Sequence, residues 1–180
     1  MTSIFGLPAH PFFAHIPVVL IPLGALGAVA MLWPAARDRI GWVVVGIVFV
    51  AGISTQLAVS SGQSLREYVQ RSPLVRAHTH IGENIRPWVL LMFLALVAVM
   101  LIARRRAREH DDGAAPGAGR RDWLRVGAAG AITLSIVFAG VATYWIYRIG
   151  HSGSRAVWAT TQTKIDKGIR ARERDGGVGR

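Results

Sequence analysis

The chain reads as an all-α integral membrane protein, a bundle of four antiparallel helices, and three observations predict this. Hydrophobic residues make up 52% of its 180 positions and charged residues only 17%, where an ordinary soluble domain carries about a quarter charged. The charges are clumped, leaving four largely uncharged runs, Pro11–Trp33, Ile40–Ser60, Pro87–Ala103 and Leu124–Ile149. Each is near the ~20 apolar residues that cross a hydrocarbon core. The connections between them hold no further domain. The expected organisation is a four-span domain over residues 1–158 and a charged, partly disordered tail over 159–180.

Proline tolerates the first helical position, so the first helix is expected to begin at Pro11. Pro17 and Pro22 lie inside it, Pro22 predicts a bend, and Pro34 is expected to end it before a tight turn at Arg37-Asp38-Arg39. No Lys or Arg occurs from Met1 to Leu32, so the segment lacks the basic start of a signal peptide and reads as a retained span. The second span opens as the apolar run Trp42–Val50 and then turns small and polar through Gly52, Ser54, Gln56, Ser60, Ser61, Gly62 and Gln63.

Residues 64–79 are expected to form a loop carrying Arg66, Glu67, Arg71 and Arg76, with Pro73 interrupting any helix. After the third span come Arg104-Arg105-Arg106-Ala107-Arg108, the stretch Gly113–Gly119, and Arg120-Arg121, together a flexible basic loop. The fourth span is expected to end in a glycine cap at Gly150-His151-Ser152-Gly153, followed by a short interfacial helix over 155–172 and disorder over 175–180.

The formal charge of +11 does not point to nucleic acid, because the basic residues flank apolar runs, where topology and anionic lipid account for them. The absence of cysteine excludes disulfides, thiolate zinc sites and cysteine-ligated iron–sulfur clusters. The dense Arg104–Arg108 cluster predicts a cytoplasmic third loop, with both termini outside a bacterial inner membrane.

Five of the six histidines sit at span ends on one face: His10 and His15 on the first, His78 and His80 before the third, His151 after the fourth. Imidazole is the commonest metal ligand, so that face is the candidate site. His110 lies on the other side and receives no role. A separation of five turns His10 and His15 about 140° apart. His15, one turn inside, is expected to face the bundle, and His10 to cap the helix or meet headgroups. His78 and His80 point to nearly opposite sides. His80 is expected inward, beside Gly82, with Thr79 or Glu83 orienting its ring. A structural histidine on a backbone carbonyl remains the plain alternative at each position, and a helix-dipole contact at His151.

Gly52, Gln56 and Ser60 recur at four-residue spacing, which gives either close helix packing or room for a cofactor hydrogen-bonded by Gln56. Gly140, Tyr144 and Tyr147 form a comparable stripe on the fourth span. Arg66, Arg76, Arg86, Arg148 and Arg155 cluster at the histidine face, as headgroup contacts or as partners for two propionates, for which Arg86 and Arg148 are singled out. Glu67 and Glu83 are the only carboxylates of note there, which leaves little for hydrolysis.

Together His10-Pro11, His15-Ile16-Pro17, the histidine at 78 or 80, and Gly150-His151-Ser152-Gly153 resemble domain-of-unknown-function family 2231, bacterial membrane proteins, from Leu7 to about Trp158. The resemblance implies a four-helix module with b-type haem and redox work, in relatives sometimes joined to Rieske-type domains. The leading expectation is an electron carrier with haem b between His15 and His80 near the outer face, exchanging electrons with a redox protein or quinone. Metal ligation extends as an expectation to His10, His78 and His151. The alternatives are a histidine copper or zinc protein, or a cofactor-free subunit of a larger membrane complex or homo-oligomer. Met31, Met92 and Met100 lie deep or at the other end, which weighs against copper(I).

Overall fold

The fold is taken from a computed structural model, which describes residues 3–4, 7–66, 72–111 and 118–177. A two-residue antiparallel bridge pairs Ser3–Ile4 (β1) with Leu7–Pro8 (β2). Five helices follow: α1 Ala9–Ala30, α2 Pro34–Leu65, α3 Pro73–Glu83, α4 Arg86–Asp111 and α5 Ala118–Gly177. Four helical stretches are long and apolar enough to cross a membrane, formed by α1, by α2, by α3 with α4, and by α5. The protein is an all-α, multi-pass membrane bundle. Neighbours pack in the order α1, α2, α4, α5 and back to α1, while α3 packs against α5 and α2 at the histidine end of the bundle, its mouth.

Aromatic residues mark both membrane levels. Trp33, Trp42 and Trp123 are exposed at one end, where the Arg104 guanidinium lies 4.6 Å over the Trp42 ring; Tyr144 and Tyr147 are exposed at the other. Between Trp123 and Tyr144 lies about 32 Å of helix, close to the ~30 Å hydrocarbon thickness. Tryptophan and tyrosine prefer this interfacial level because their rings are apolar and their N–H or O–H is wet.

Two apolar clusters fill the interior. One joins Met31, Val44, Val48, Met92, Leu96 and Met100; the other joins Ile21, Ala51, Ile85, Val89, Ala142 and Ile146 nearer the mouth. Close approach of α1 and α2 depends on Gly27, where an added Cβ would fall 2.6 Å from Val44 Cγ1. Such glycines let backbones meet in lipid, where dispersion and fit replace the hydrophobic drive. Buried hydroxyls are satisfied within their own helices: Thr55 Oγ1 donates to Ala51 O at 2.7 Å and Ser135 Oγ to Ile132 O at 2.8 Å.

Several boundaries differ from the expectations. α1 begins at Ala9 and continues as one helix through Pro17 and Pro22. Pro34 opens α2 instead of ending α1, so Arg37, Asp38 and Arg39 are helical and the turn falls at Met31–Trp33. The same inversion holds at Pro73, which opens α3 behind a Ser72 cap whose side chain accepts from Val75 N at 3.1 Å. Proline at the start of a helix sacrifices an N–H that has no partner there. Glu67 and Arg71 lie outside the described residues, as do 112–117 of the basic loop. Finally, Gly150-His151-Ser152-Gly153 does not terminate a helix: α5 runs through it to Gly177, so residues 175–177 are helical, and 178–180 lie outside the described residues.

Candidate functional site

The two histidines that meet at the mouth are His10 and His78. Their ring centroids are 6.2 Å apart with planes at 79°. On α1 the buried stripe is Pro17, Ile21, Gly24 and Ala28, and seven residues before Pro17 is His10. On α3 His78 falls on the stripe of Leu74 and Ile81, at spacings of four and three, which points on to the buried Ile85 in the turn before α4. Helical periodicity therefore carries both rings inward.

Each ring is held by a neighbouring helix. His10 Nδ1 donates to the Ala58 carbonyl of α2 at 2.8 Å, and that oxygen also accepts from Ser61 Oγ at 3.1 Å. The His78 Nδ1 lies 2.9 Å from Ser152 Oγ of α5, whose own hydroxyl proton goes to Ile149 O at 2.9 Å. With that proton committed, Ser152 accepts and His78 Nδ1 is the donor. A neutral imidazole carries one N–H, so in both rings Nε2 is left with the lone pair. This is the arrangement in which a carbonyl or hydroxyl orients a metal-binding imidazole.

Glycine makes room for both rings. A Cβ at Gly62 would sit 2.9 Å from His10 Nδ1, and one at Gly153 would sit 3.0 Å from His78 Cε1. Gly62 and Gly153 were visible in the sequence, but only as a small-residue stretch and a supposed cap.

The expected pair of His15 and His80 is not assembled. His15 is exposed, two residues from the buried Pro17 and so on the far side of α1, and its Nδ1 donates to the Pro11 carbonyl of its own helix. His80 is likewise exposed, off the α3 stripe. Neither proposed orienting group serves it: Thr79 Oγ1 donates to Arg76 O at 2.9 Å, and Glu83 Oε1 accepts from Gln63 Nε2 at 3.0 Å, tying α3 to α2. His151 is exposed and stacks on Tyr147 at 6.2 Å, one turn back along α5. His110 lies in α4, its side chain outside the described residues.

Gln56 and Arg86 do come together, but elsewhere. They line a groove of about 360 Å³ between α2 and α4, and neither His10 nor His78 lines it. The Arg148 guanidinium lies 5.9 Å over the rings of Tyr144 and Trp145. Gly140, Tyr144 and Tyr147 are exposed, a lipid-facing stripe and not a cofactor wall. Met31, Met92 and Met100 are core residues away from the mouth. Among the described residues, no three of His, Cys, Asp or Glu gather as a metal-binding group. The chain matches no known family model, no curated protein and no solved structure.

Proposed function

We propose that the protein is a small b-type cytochrome-like electron carrier of the bacterial inner membrane, with His10 and His78 as the axial pair. The observation that supports this reading is the orientation of both rings, each holding Nδ1 on a neighbouring helix and leaving Nε2 for a ligand bond. Donor number favours haem over zinc. A structural zinc site takes four protein donors and a catalytic one three, whereas haem iron asks the protein for only two axial nitrogens. When bound, haem supplies one-electron transfer at the iron.

The chain's own residues then have separable tasks. Ala58 O and Ser152 Oγ hold the rings, and Gly62 and Gly153 give them space. Arg148, one turn before Ser152 on α5, is the cation best placed to meet a propionate. Arg86 and Gln56 fall outside this assembly. The resemblance to family 2231 agrees with the reading, and the Arg104–Arg108 cluster favours a cytoplasmic third loop with the histidine mouth outside, where a redox protein or quinone would exchange electrons.

A second reading rests on the same hydrogen bonds. The His10–Ala58 and His78–Ser152 contacts tie α1 to α2 and α3 to α5, as a cofactor-free subunit of a larger complex would need. The absorption spectrum of detergent-purified protein, oxidised and reduced, decides between the two. A reduced low-spin b-type spectrum with one haem per chain is expected. Colourless protein after growth with a haem precursor would sink the cytochrome reading in favour of the structural one.

A further inference from the structure

We propose that the groove between α2 and α4 binds one anionic phospholipid, with its phosphate on Arg86 and an acyl chain running along Phe49, Ile53 and Leu90. Among the described residues, Arg86 is the only charged one lining the groove. Its Nε is buried and has no hydrogen-bond partner among the described residues. A buried guanidinium nitrogen without an acceptor is costly, and a phosphate oxygen would satisfy it with a charge-assisted bond. Gln56, exposed beside it, supplies a second donor from α2.

The polarity of the groove runs the way a lipid does. Its polar residues, Arg86 at the start of α4 with Gln56 and Thr55 toward the end of α2, lie at the mouth level, the Thr55 hydroxyl already committed to Ala51 O. From there the lining is apolar toward Val48 on α2 and Phe93 on α4. Those eight and seven residues of helix span about 10–12 Å, against the ~15 Å depth of one leaflet of a ~30 Å core. Phe49, Ile53 and Leu90 are exposed along it, so the groove opens sideways to lipid. The groove has free space at Gly52, where an added Cβ would touch only Val89 Cγ1, at 3.8 Å. A lining with one cation and no acid among the described residues selects an anionic headgroup over a zwitterionic one, whose own cation would be left facing the guanidinium. The inference is independent of the histidine pair.

Native mass spectrometry of the detergent-purified protein, with equal phosphatidylglycerol and phosphatidylcholine added, tests it. One phosphatidylglycerol per chain is expected to persist. Arg86→Gln should weaken its retention about tenfold, the loss of one charge-assisted contact. Gly52→Leu, which fills the groove and keeps the charge, should do the same, and Arg105→Gln at the far end should not. Equal retention of phosphatidylcholine would overturn the proposal, as would undiminished phosphatidylglycerol in both Arg86→Gln and Gly52→Leu. A co-purifying quinone lost on Gly52→Leu would also overturn it, by assigning the groove to a different occupant.

Discussion

Gly153 of α5 faces the ring of His78 on α3 so closely that an added Cβ would lie 3.0 Å from Cε1. Gly150, one turn back on α5, has nothing within 4 Å of the same imaginary atom. The two glycines therefore separate crowding from helix propensity. Gly153→Ala should displace His78 and lower stability by about 1–3 kcal/mol, as overpacking does. By contrast, Gly150→Ala should be neutral or raise the melting temperature, because glycine inside a helix costs about 1 kcal/mol against alanine. Thermal unfolding in detergent compares them directly, and equal effects would refute the assigned contact.

Ser152 is the acceptor for His78 Nδ1. Ser152→Ala removes the hydroxyl partner and leaves the ring only the Ile149 carbonyl on α5, and should destabilise the bundle by about 1 kcal/mol. Ser152→Thr, which keeps an acceptor, should retain most of the stability. In haem-loaded protein the same alanine change should shift the midpoint potential as well, since ring orientation and basicity change together. A melting temperature unchanged in Ser152→Ala would remove the hydroxyl from the account.

The five mouth histidines divide into an inward pair and an outward three. His10→Ala and His78→Ala should each abolish the low-spin spectrum while the protein still inserts, because a missing axial ligand leaves iron five-coordinate or the site empty. His15→Ala, His80→Ala and His151→Ala should keep it, as those rings are exposed, and His15 and His151 bond or stack within their own helices. Retention of the full spectrum in both His10→Ala and His78→Ala would dismiss this pair.

Topology offers a check that needs no cofactor. Reporter fusions after His110 should read cytoplasmic and fusions after Ala159 external, because arginines packed against a span end dominate retention. The reverse pattern would place the histidine mouth in the cytoplasm and change the accessible redox partners.

The four spans were legible because membrane crossing imposes length and apolarity on consecutive residues, which a linear scan detects. Helix ends were harder, since proline marks a beginning as readily as an end: Pro34 and Pro73 both open helices. At the site, position along the chain suggested His15 over His10 and His80 over His78. Position around the helix decides instead. Extending the stripe of Pro17, Ile21 and Gly24 backward reaches His10, and that of Ile85 and Ile81 reaches His78. The Ala58 carbonyl and Ser152 were beyond reach, because which residue of one helix lies opposite which of another depends on packing that no single segment encodes.

Because α5 continues unbroken to Gly177, about 45 Å of helix beyond Tyr147 extends past the aromatic level on the histidine side. To a protein approaching from the aqueous phase, the mouth is thus a corner against a standing post and not an open plain. Between residues 160 and 177 that post carries Lys164, Lys167, Arg170, Arg172 and Arg174 against Asp166, Glu173 and Asp175, a net positive charge. An acidic visitor would be drawn to its base, and a broad flat one would strike the post before reaching His10 and His78.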